Sequence, residues 1–237
     1  MNWAIVAAGG LGKRMGEKVN KIFSPLLGKP IIFYILLLLE KAKIIDRVII
    51  TAREDDIKAI KQIVKEGKFK KTWAIIPAAS TRQKSTWKVL KKLKQAGVKS
   101  SDLIGIHNAV NLLVTEKELE AVFAAAQKWG AALLAFSARD TIKITDKENF
   151  VKTTPQRKFI FLAQTPQVGR FDWLYQAFEK SEKENFEGTD DTMLLERIGK
   201  KVKIVPCSPE NFKITYPFDL TLAEAIFKKR SKNGQSF

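Results

Sequence analysis

A glycine-rich stretch near the start of the chain, residues 7–16, limits most strongly what the sequence can fold into. It reads Ala-Ala-Gly-Gly-Leu-Gly-Lys-Arg-Met-Gly, follows a short apolar run at residues 3–6 and precedes a segment with helical patterning. A strand, a glycine loop and a helix in this order build phosphate cradles in α/β folds, because glycine lets backbone N–H groups approach anionic oxygens. The loop also carries Lys13 and Arg14, and Lys21 follows closely. These donors and cations suit a triphosphate.

Two common glycine motifs do not fit this loop. A P-loop needs Ser or Thr directly after Gly12-Lys13, where this chain has Arg14. A dinucleotide-binding fingerprint needs glycine at Met15 and an acidic residue at the end of the second predicted strand, which ends at Arg53. A plain strand-to-helix turn would use one glycine rather than three. The remaining pattern, G-G-x-G-x-R-M, resembles the signature loop of nucleotidyltransferases that join a sugar phosphate or polyol phosphate to a nucleoside triphosphate.

At 237 residues the chain is long enough for one large α/β domain or two small ones, and a single domain over residues 1–237 is predicted. The chain is 45% hydrophobic, which is enough for a core, and no low-complexity or charged block divides it. No apolar run reaches the length of a membrane span, so no membrane association is expected. Cys207 is the single cysteine, which excludes a disulfide within the chain and fits a cytoplasmic setting.

The net charge of +17 raises the question of nucleic-acid binding. The lysines are distributed over several predicted helices, such as those at 58–65 and 88–94, and no nucleic-acid-binding module accompanies them. Solvated helix faces explain most of this charge, so specific nucleic-acid binding is kept as a minor alternative.

Strands and helices alternate as far as residue 137, which predicts an α/β fold with a doubly wound, mostly parallel sheet of the Rossmann-like nucleotidyltransferase type. The predicted strands are 3–6, 48–50, 73–76, 103–107, 131–137, 159–162 and 202–205, and the predicted helices are 30–43, 55–65, 80–96, 116–129, 171–181, 189–199 and 217–229.

The pattern changes at about residues 140–158. Residues 141–145 alternate like a half-exposed strand, residues 146–149 have turn chemistry, and residues 150–152 can return as the partner strand. This predicts a β-hairpin arm that protrudes from the sheet. Because exposed hairpin edges are usually covered, we expect a second subunit to cover it, which makes the protein a homodimer.

Short motifs occur in collinear order over about the whole chain. They are G-G-L-G-K-R-M, then Lys21, Arg82-x-x-Ser85, and the segments 106–110, 139–141, 164–167, 189–190 and 211–215, which read Ile-His-Asn-Ala-Val, Arg-Asp-Thr, Gln-Thr-Pro-Gln, Thr-Asp and Asn-Phe-Lys-Ile-Thr. This set resembles the methylerythritol phosphate cytidylyltransferases, CTP-dependent enzymes of the non-mevalonate isoprenoid route. The related ribitol phosphate cytidylyltransferases share most of these motifs, so the acceptor stays open between the two polyol phosphates.

The resemblance implies CTP and a polyol phosphate, foremost 2-C-methyl-D-erythritol 4-phosphate, as substrates, with Mg²⁺ bridging the phosphates. It also implies that the neighbouring subunit of a homodimer completes the acceptor site. The acceptor's own phosphoryl oxygen attacks the α-phosphate of CTP, and pyrophosphate leaves. A phosphate monoester is nucleophilic at neutral pH, so the chemistry requires positioned cations rather than a general base. His107, the single histidine, lies at the end of a predicted strand and is interpreted as structural, because the sequence shows no partners for a catalytic triad.

Matching the family's motifs position by position implies roles for individual residues. The implied catalytic residues are Arg14, Lys21 and Lys213. The implied nucleotide-binding residues are Ala8, Gly9, Gly10, Leu11, Gly12, Ala79, Ser80, Ser85 and Asn108. The implied acceptor-binding residues are Asp140, Thr141, Arg157 and Thr165, and Asn108 is also implied as a weak metal ligand.

Three segments depart from the family's pattern. Asn108 and Asn111 stand where the family has an aspartate and an arginine, Ala78-Ala79 replaces a pair of glycines, and Ser80 replaces an acidic residue. The cations that contact the phosphates are therefore kept, while the residues that would contact the metal and the nucleobase are changed. A homologue that binds nucleotide without turnover is the second hypothesis that this pattern leaves open.

Overall fold

Seven strands form one sheet within residues 1–10 and 20–232, the part of the chain that this computed structural model describes. The strands of the structure are β1 (Asn2–Ala7), β2 (Pro25–Leu26), β3 (Lys29–Pro30), β4 (Arg47–Ala52), β5 (Thr72–Pro77), β6 (Leu103–Asn108), β7 (Ala131–Ser137), β8 (Ile144–Thr145), β9 (Val151–Thr153), β10 (Phe161–Arg170) and β11 (Lys203–Pro206). The helices are α1 (Ile31–Lys41), α2 (Ile57–Glu66), α3 (Arg82–Gln95), α4 (Glu116–Trp129), α5 (Phe171–Lys183), α6 (Asp191–Arg197) and α7 (Pro217–Lys232).

The main sheet is mostly parallel. Its strand order is β11-β7-β10-β6-β1-β4-β5, and β10 runs antiparallel to both of its neighbours. The chain moves from β1 to β4 and β5 on one side and then returns to β6 on the other side of β1. This reversal creates a crevice at the carboxyl ends of β1 and β6, where open α/β sheets bind ligands. The predicted fold class, a doubly wound and mostly parallel α/β sheet, is confirmed.

The strand predicted at 159–162 is present, but it begins two residues later and is much longer than predicted. The structure has a 3₁₀ turn at Arg157–Phe159, followed by the ten-residue strand β10. Pro166 lies in the middle of β10, and a proline inside a segment is a sequence signal against a central strand. The full length of β10 is therefore not evident from the sequence. The pairing of β10 with β7 is irregular between Ala163 and Gln167, which accommodates the proline, and β10 then pairs with both neighbours up to Gly169.

Apolar side chains pack in two layers, one on each face of the sheet. In β1, Ala4 and Val6 join the layer formed with α1, α2, α4 and α7, whereas Trp3 and Ile5 join the layer formed with α3, α5 and α6. All four side chains are buried, as expected for a central parallel strand that is covered on both faces. Within the described residues, none of the helices is both long and apolar enough to cross a membrane.

The predicted hairpin arm is present as a separate two-stranded sheet of β8 and β9. Asp146 closes its turn, since Oδ1 accepts hydrogen bonds from the backbone N–H groups of Glu148 (3.0 Å) and Phe150 (2.9 Å). At the base of the arm, the N–H of Ala138 donates to the carbonyl of Ile160 at 2.9 Å. The Phe150 side chain is 68% exposed, so the arm presents apolar surface to its surroundings.

Gly130 provides a test of the packing beside α4. It ends α4 in the left-handed conformation, with φ of 87°, and a Cβ atom there would overlap the indole ring of Trp173. We expect Gly130→Ala to lower the free energy of unfolding by about 3 kcal/mol, from left-handed strain plus overpacking. Gly97→Ala is the matched control, because Gly97 also has a positive φ, 74°, but open space where the Cβ would lie. The control should lose about 1 kcal/mol. Equal losses in urea titrations would contradict this account.

Candidate active site

A cavity of about 490 Å³ lies at the carboxyl ends of β1, β5 and β6, in the size range of small-molecule sites. Its walls come from the loops after these strands, from the first turn of α3 and from two lysine-bearing segments. The lining residues are Ala7, Ala8, Gly9, Gly10, Asn20, Lys21, Ile22, Ala78, Ala79, Ser80, Thr81, Arg82, Ser85, Asn108, Val110 and Lys213.

Nine of the predicted site residues line this one cavity. They are Lys21 and Lys213 among the implied catalytic residues, and Ala8, Gly9, Gly10, Ala79, Ser80, Ser85 and Asn108 among the implied nucleotide-binding residues. Three further predictions, on Leu11, Gly12 and Arg14, fall outside the described residues. The individual roles stay predictions.

The loops after β1 and β5 touch each other at the cavity. A Cβ atom on Gly9 would lie 2.6 Å from the Cβ of Ala78, so only glycine permits this approach. The N–H of Ala8 donates to the carbonyl of Thr51 at 2.8 Å, and the N–H of Ala78 donates to the carbonyl of Ala52 at 2.7 Å. Both loops are therefore tied to the end of β4, which lies between their strands.

The start of α3 holds the loop at residues 78–81 in place. Thr81 caps the helix, because its Oγ1 accepts a hydrogen bond from the N–H of Lys84 at 3.2 Å. The Oγ of Ser85 accepts from the N–H of Ala79 at 2.9 Å and donates to the carbonyl of Thr81 at 2.7 Å. The Ser85 hydroxyl thus keeps Ala79 and Ser80 against the cavity.

Lys21 and Lys213 approach the cavity on the same side. The Nζ of Lys21 donates to the carbonyl of Ile214 at 2.9 Å, which ties Lys21 to the segment that carries Lys213. The buried side chain of Asn20 fixes the residue before Lys21, since its Nδ2 donates to the carbonyl of Ala8 at 3.1 Å. Two lysines, Gly9 and Gly10 thus border one volume, an arrangement that suits phosphate oxygens.

Arg82 lines the cavity as well, although no role is predicted for it from the sequence. Its Nη2 forms an ion pair with the buried carboxylate of Asp191, and its Nε donates to Oδ1 of Asn108 at 3.2 Å. Burial raises the pKa of the Asp191 carboxyl, and the Arg82 guanidinium opposes that rise. A buried ionised carboxylate requires such a partner, so the pair fixes the guanidinium at the cavity wall. The Arg-x-x-Ser spacing, which places Arg82 one turn before Ser85, was the available signal.

A series of hydrogen bonds between side-chain amides begins at Arg82, and each amide in it accepts from the residue before it and donates to the next. The Nδ2 of Asn108 donates to Oδ1 of Asn111 at 3.0 Å. The Nδ2 of Asn111 donates to the carbonyl of Asn211 at 3.3 Å and to Oε1 of Gln164 at 3.2 Å. Because arginine only donates and a backbone carbonyl only accepts, the two ends fix the orientation of both amides. The series carries no charge at positions 108 and 111, where the family pattern has an aspartate and an arginine.

The described residues do not fit a protein-held Mg²⁺. This cation prefers charged oxygen ligands in an octahedral arrangement. In residues 1–10 and 20–232, however, no carboxylate lines the cavity and no group of His, Cys, Asp and Glu side chains is placed to hold a metal. The oxygen of Asn108, the predicted weak ligand, accepts a hydrogen bond from the cationic Arg82. A metal ion at that oxygen would have to displace a guanidinium.

The predicted acceptor-binding residues fall in two places. Thr165 is buried beside the cavity, where its Oγ1 accepts a hydrogen bond from the N–H of Asn108 at 3.2 Å. Asp140, Thr141 and Arg157 are exposed around the arm and do not line the cavity. The structure thus brings Thr165 to the predicted nucleotide-binding residues, and it does not bring the other three there within a single chain.

Neither His107 nor Cys207 is placed for acid–base or nucleophilic catalysis. Burial, together with the charge of Arg82, lowers the pKa of His107 to about 4, although a hydrogen bond to the carbonyl of Asn111 opposes this shift. Burial, together with the charge of Glu118, raises the pKa of the Cys207 thiol to about 12. Both side chains are therefore neutral at pH 7, which agrees with the structural interpretation of His107.

A crevice at the switch point of a doubly wound sheet, bordered by a glycine-rich loop and lysine side chains, is the arrangement of the Rossmann-like nucleotidyltransferases. The family model described as 2-C-methyl-D-erythritol 4-phosphate cytidylyltransferase matches residues 2–229. The chain belongs to this family, so the predicted resemblance is confirmed, and it is a family of transferase enzymes.

Relatives and a solved structure agree with this assignment. The chain is 38% identical over 232 residues to the 2-C-methyl-D-erythritol 4-phosphate cytidylyltransferase of Clostridium acetobutylicum, covering 98% of this chain and 99% of the relative. It is 37% identical to the enzyme of the same name from Geobacter metallireducens, covering 96% and 98%. The crystal structure of 4-diphosphocytidyl-2C-methyl-D-erythritol synthase from Anaerococcus prevotii has a TM-score of 0.82 at 27% identity, covering 96% of each chain.

His107 leads to a prediction for the pH dependence of stability. Its folded-state pKa, about 4, lies below the ordinary value of 6.5, so the stability it contributes is present above pH 6.5 and is lost as the pH falls. We expect the free energy of unfolding to fall by about 2 kcal/mol more between pH 7 and pH 5 in the natural chain than in His107→Gln. The chain has a single histidine, so this variant removes all histidine titration. Parallel pH profiles for the two proteins in urea titrations would contradict the prediction.

Proposed function

We propose that this chain transfers a cytidylyl group from CTP to 2-C-methyl-D-erythritol 4-phosphate and releases pyrophosphate, a step in the synthesis of isoprenoid precursors. The observation that carries the proposal is the single cavity that gathers Lys21, Lys213 and the first glycines of the loop. The proposal also rests on relatives that bear the name of this enzyme and match 96–98% of this chain. Ribitol 5-phosphate is the alternative acceptor, and the names of the relatives favour the methylerythritol phosphate.

The reaction is an exchange of phosphorus–oxygen bonds. An oxygen of the acceptor's phosphate attacks the α-phosphorus of CTP and forms a new bond, while the bond from the α-phosphorus to the α–β bridging oxygen breaks. Pyrophosphate leaves with that electron pair. In this proposal the glycine loop binds the triphosphate, and Lys21 and Lys213 stabilise the negative charge on the crowded phosphorus. The contact of Lys21 with the carbonyl of Ile214 positions its ammonium group before the substrate arrives.

Magnesium is proposed here as a companion of the triphosphate rather than as a resident of the protein. The donor set of the described residues offers no carboxylate at the cavity, and the Asn108 oxygen is bonded to Arg82. We further propose that Arg82 supplies fixed positive charge on this wall, because its ion pair with Asp191 holds the guanidinium in place.

The arm supports a homodimer in which each subunit completes the acceptor site of the other. Asp140, Thr141 and Arg157 lie outside the cavity of their own chain, so their predicted role requires the cavity of a second copy. Exposed apolar side chains of the arm, including Phe150 (68% exposed) and Phe159 (71% exposed), offer surface that such a partner would bury. A cytoplasmic setting stays a prediction from the single cysteine.

The proposed activity is tested by measuring pyrophosphate release with each of the four nucleoside triphosphates and each of the two polyol phosphates. We expect CTP with 2-C-methyl-D-erythritol 4-phosphate to give the highest kcat/KM. Lys21→Ala should lower kcat/KM by about a hundredfold or more, because one positioned charge contributes about 3 kcal/mol to such a transition state. Faster reaction with ribitol 5-phosphate would replace the acceptor. Binding of CTP without pyrophosphate release would instead support the non-catalytic homologue.

The shared acceptor site is tested by mixing two inactive variants. We expect Arg157→Ala and Lys21→Ala to be inactive alone, and a mixture to regain about a quarter of the natural activity per site. This fraction follows because half of the dimers are hybrids and each hybrid has one intact site. Subunit exchange is checked by native mass spectrometry. A monomer in sedimentation, or no regained activity after exchange, would contradict the proposed dimer.

A further inference from the structure

The positive charge of the chain is concentrated in one segment. Residues 57–99 contain thirteen lysines and arginines and one acidic residue, Glu66, whereas the rest of the chain contains 29 basic and 24 acidic residues. A general preference for lysine would spread the excess evenly. The concentration of charge in this segment therefore needs its own explanation. In the sequence alone, the lysines appeared merely distributed over separate helices.

The fold brings this segment to one edge of the sheet. β5 is the last strand in the sheet order, so among residues 1–10 and 20–232 one side of it has no neighbouring strand. The helix α2 packs with the core layer on one face of the sheet, and α3 packs with the layer on the other face. Lysines of α3 reach the same strand, since the Nζ of Lys88 donates to the carbonyl of Pro77 at 3.0 Å and the Nζ of Lys92 lies over the ring of Trp73. We call the exposed surface of α2, β5 and α3 the β5 edge.

The lysines of the β5 edge are not neutralised. Eleven lysines in residues 57–99 are exposed, and within the described residues none of them forms an ion pair with a carboxylate. Lysines elsewhere do so, for example Lys180 with Glu184 and Lys228 with Glu224. Like charges one turn apart, such as Lys84 and Lys88, destabilise a helix. A surface of this kind is suited to a polyanion.

Trp73 adds an aromatic platform to this surface. It lies on β5, is 39% exposed and packs edge-on against the buried Trp3, with ring centroids 5.3 Å apart. The Nζ of Lys92, on α3, lies 6.0 Å from the centre of its ring. Trp73 is the only large apolar side chain of residues 57–99 that is this exposed. A single aromatic ring among lysines is typical of surfaces that bind single-stranded nucleic acid, whereas a bilayer surface requires several apolar side chains for insertion.

We propose that the β5 edge binds single-stranded nucleic acid, with lysines of α2 and α3 on the phosphates and Trp73 stacked on a base. The site is separate from the nucleotide cavity, because Lys88 and Lys92 lie about one and two turns of α3 beyond Ser85, the last cavity residue of that helix. Release of counterions from the phosphates would drive the association and make it strongly dependent on salt.

The test compares two triple variants with the same change in net charge. Lys84→Gln/Lys88→Gln/Lys92→Gln alters the β5 edge, and Lys43→Gln/Lys117→Gln/Lys201→Gln alters exposed lysines elsewhere. The measurement is fluorescence anisotropy of a labelled oligouridylate titrated with each protein at salt concentrations from about 0.05 to about 0.2 M. The edge variant should bind at least about tenfold more weakly, and its slope of log K against log salt should be smaller by about 2.

The control triple variant should bind within about twofold of the natural chain, and both variants should keep the natural rate of pyrophosphate release. Trp73→Phe should retain most of the binding, whereas Trp73→Ala should lose it in part. Equal losses in the two triple variants would show that net charge alone is responsible and would overturn the site. The absence of binding at about 0.15 M salt, or tighter binding to phosphatidylserine vesicles than to the oligouridylate, would also overturn the proposal.

Discussion

The ion pair between Arg82 and the buried carboxylate of Asp191 is the interaction on which the rest of the site depends. A carboxylate buried beside an apolar layer is unfavourable without a cationic partner, and this partner also belongs to the cavity wall. Through Asn108 and Asn111, the guanidinium is connected to Asn211 and thus to the segment of Lys213. One buried ion pair therefore connects α3, α6 and the end of β6 with the segment that carries Lys213.

This arrangement also explains how the pocket tolerates neutral residues at positions 108 and 111. An aspartate with an arginine and an asparagine with an asparagine are both pairs without net charge, so each leaves the ion pair of Arg82 with Asp191 balanced. Asn108→Asp alone would be unfavourable. It would replace the Nδ2 of Asn108, which donates to the Oδ1 of Asn111 at 3.0 Å, by a carboxylate oxygen that faces another acceptor.

The sequence predicted what depends on local patterns and missed what depends on distant pairing. The helix at Glu116–Trp129 and the strand at Ala131–Ser137 were predicted to the residue, because hydrophobic periodicity, the Thr115–Glu118 capping box and Gly130 mark their ends locally. The length of β10 was mispredicted because its central position comes from partners on both sides, which outweigh the unfavourable Pro166. Nine site residues were brought together as expected, but the direction of the amide series and the meeting of α2 and α3 at one sheet edge follow from tertiary structure alone.

The antiparallel direction of β10 has a consequence for how this fold can vary. β7 and β10 run in opposite directions, so the chain leaves the sheet after Ser137 and returns at Phe161, the residue that pairs with Ser137. A hydrogen bond from the N–H of Ala138 to the carbonyl of Ile160 joins the two ends of the arm. The arm is therefore an insertion at the tip of a two-strand ladder, and its length and sequence are free of the core's constraints. A change in the length or sequence of the arm would therefore leave the pairing of β7 with β10 and the lining of the cavity unchanged.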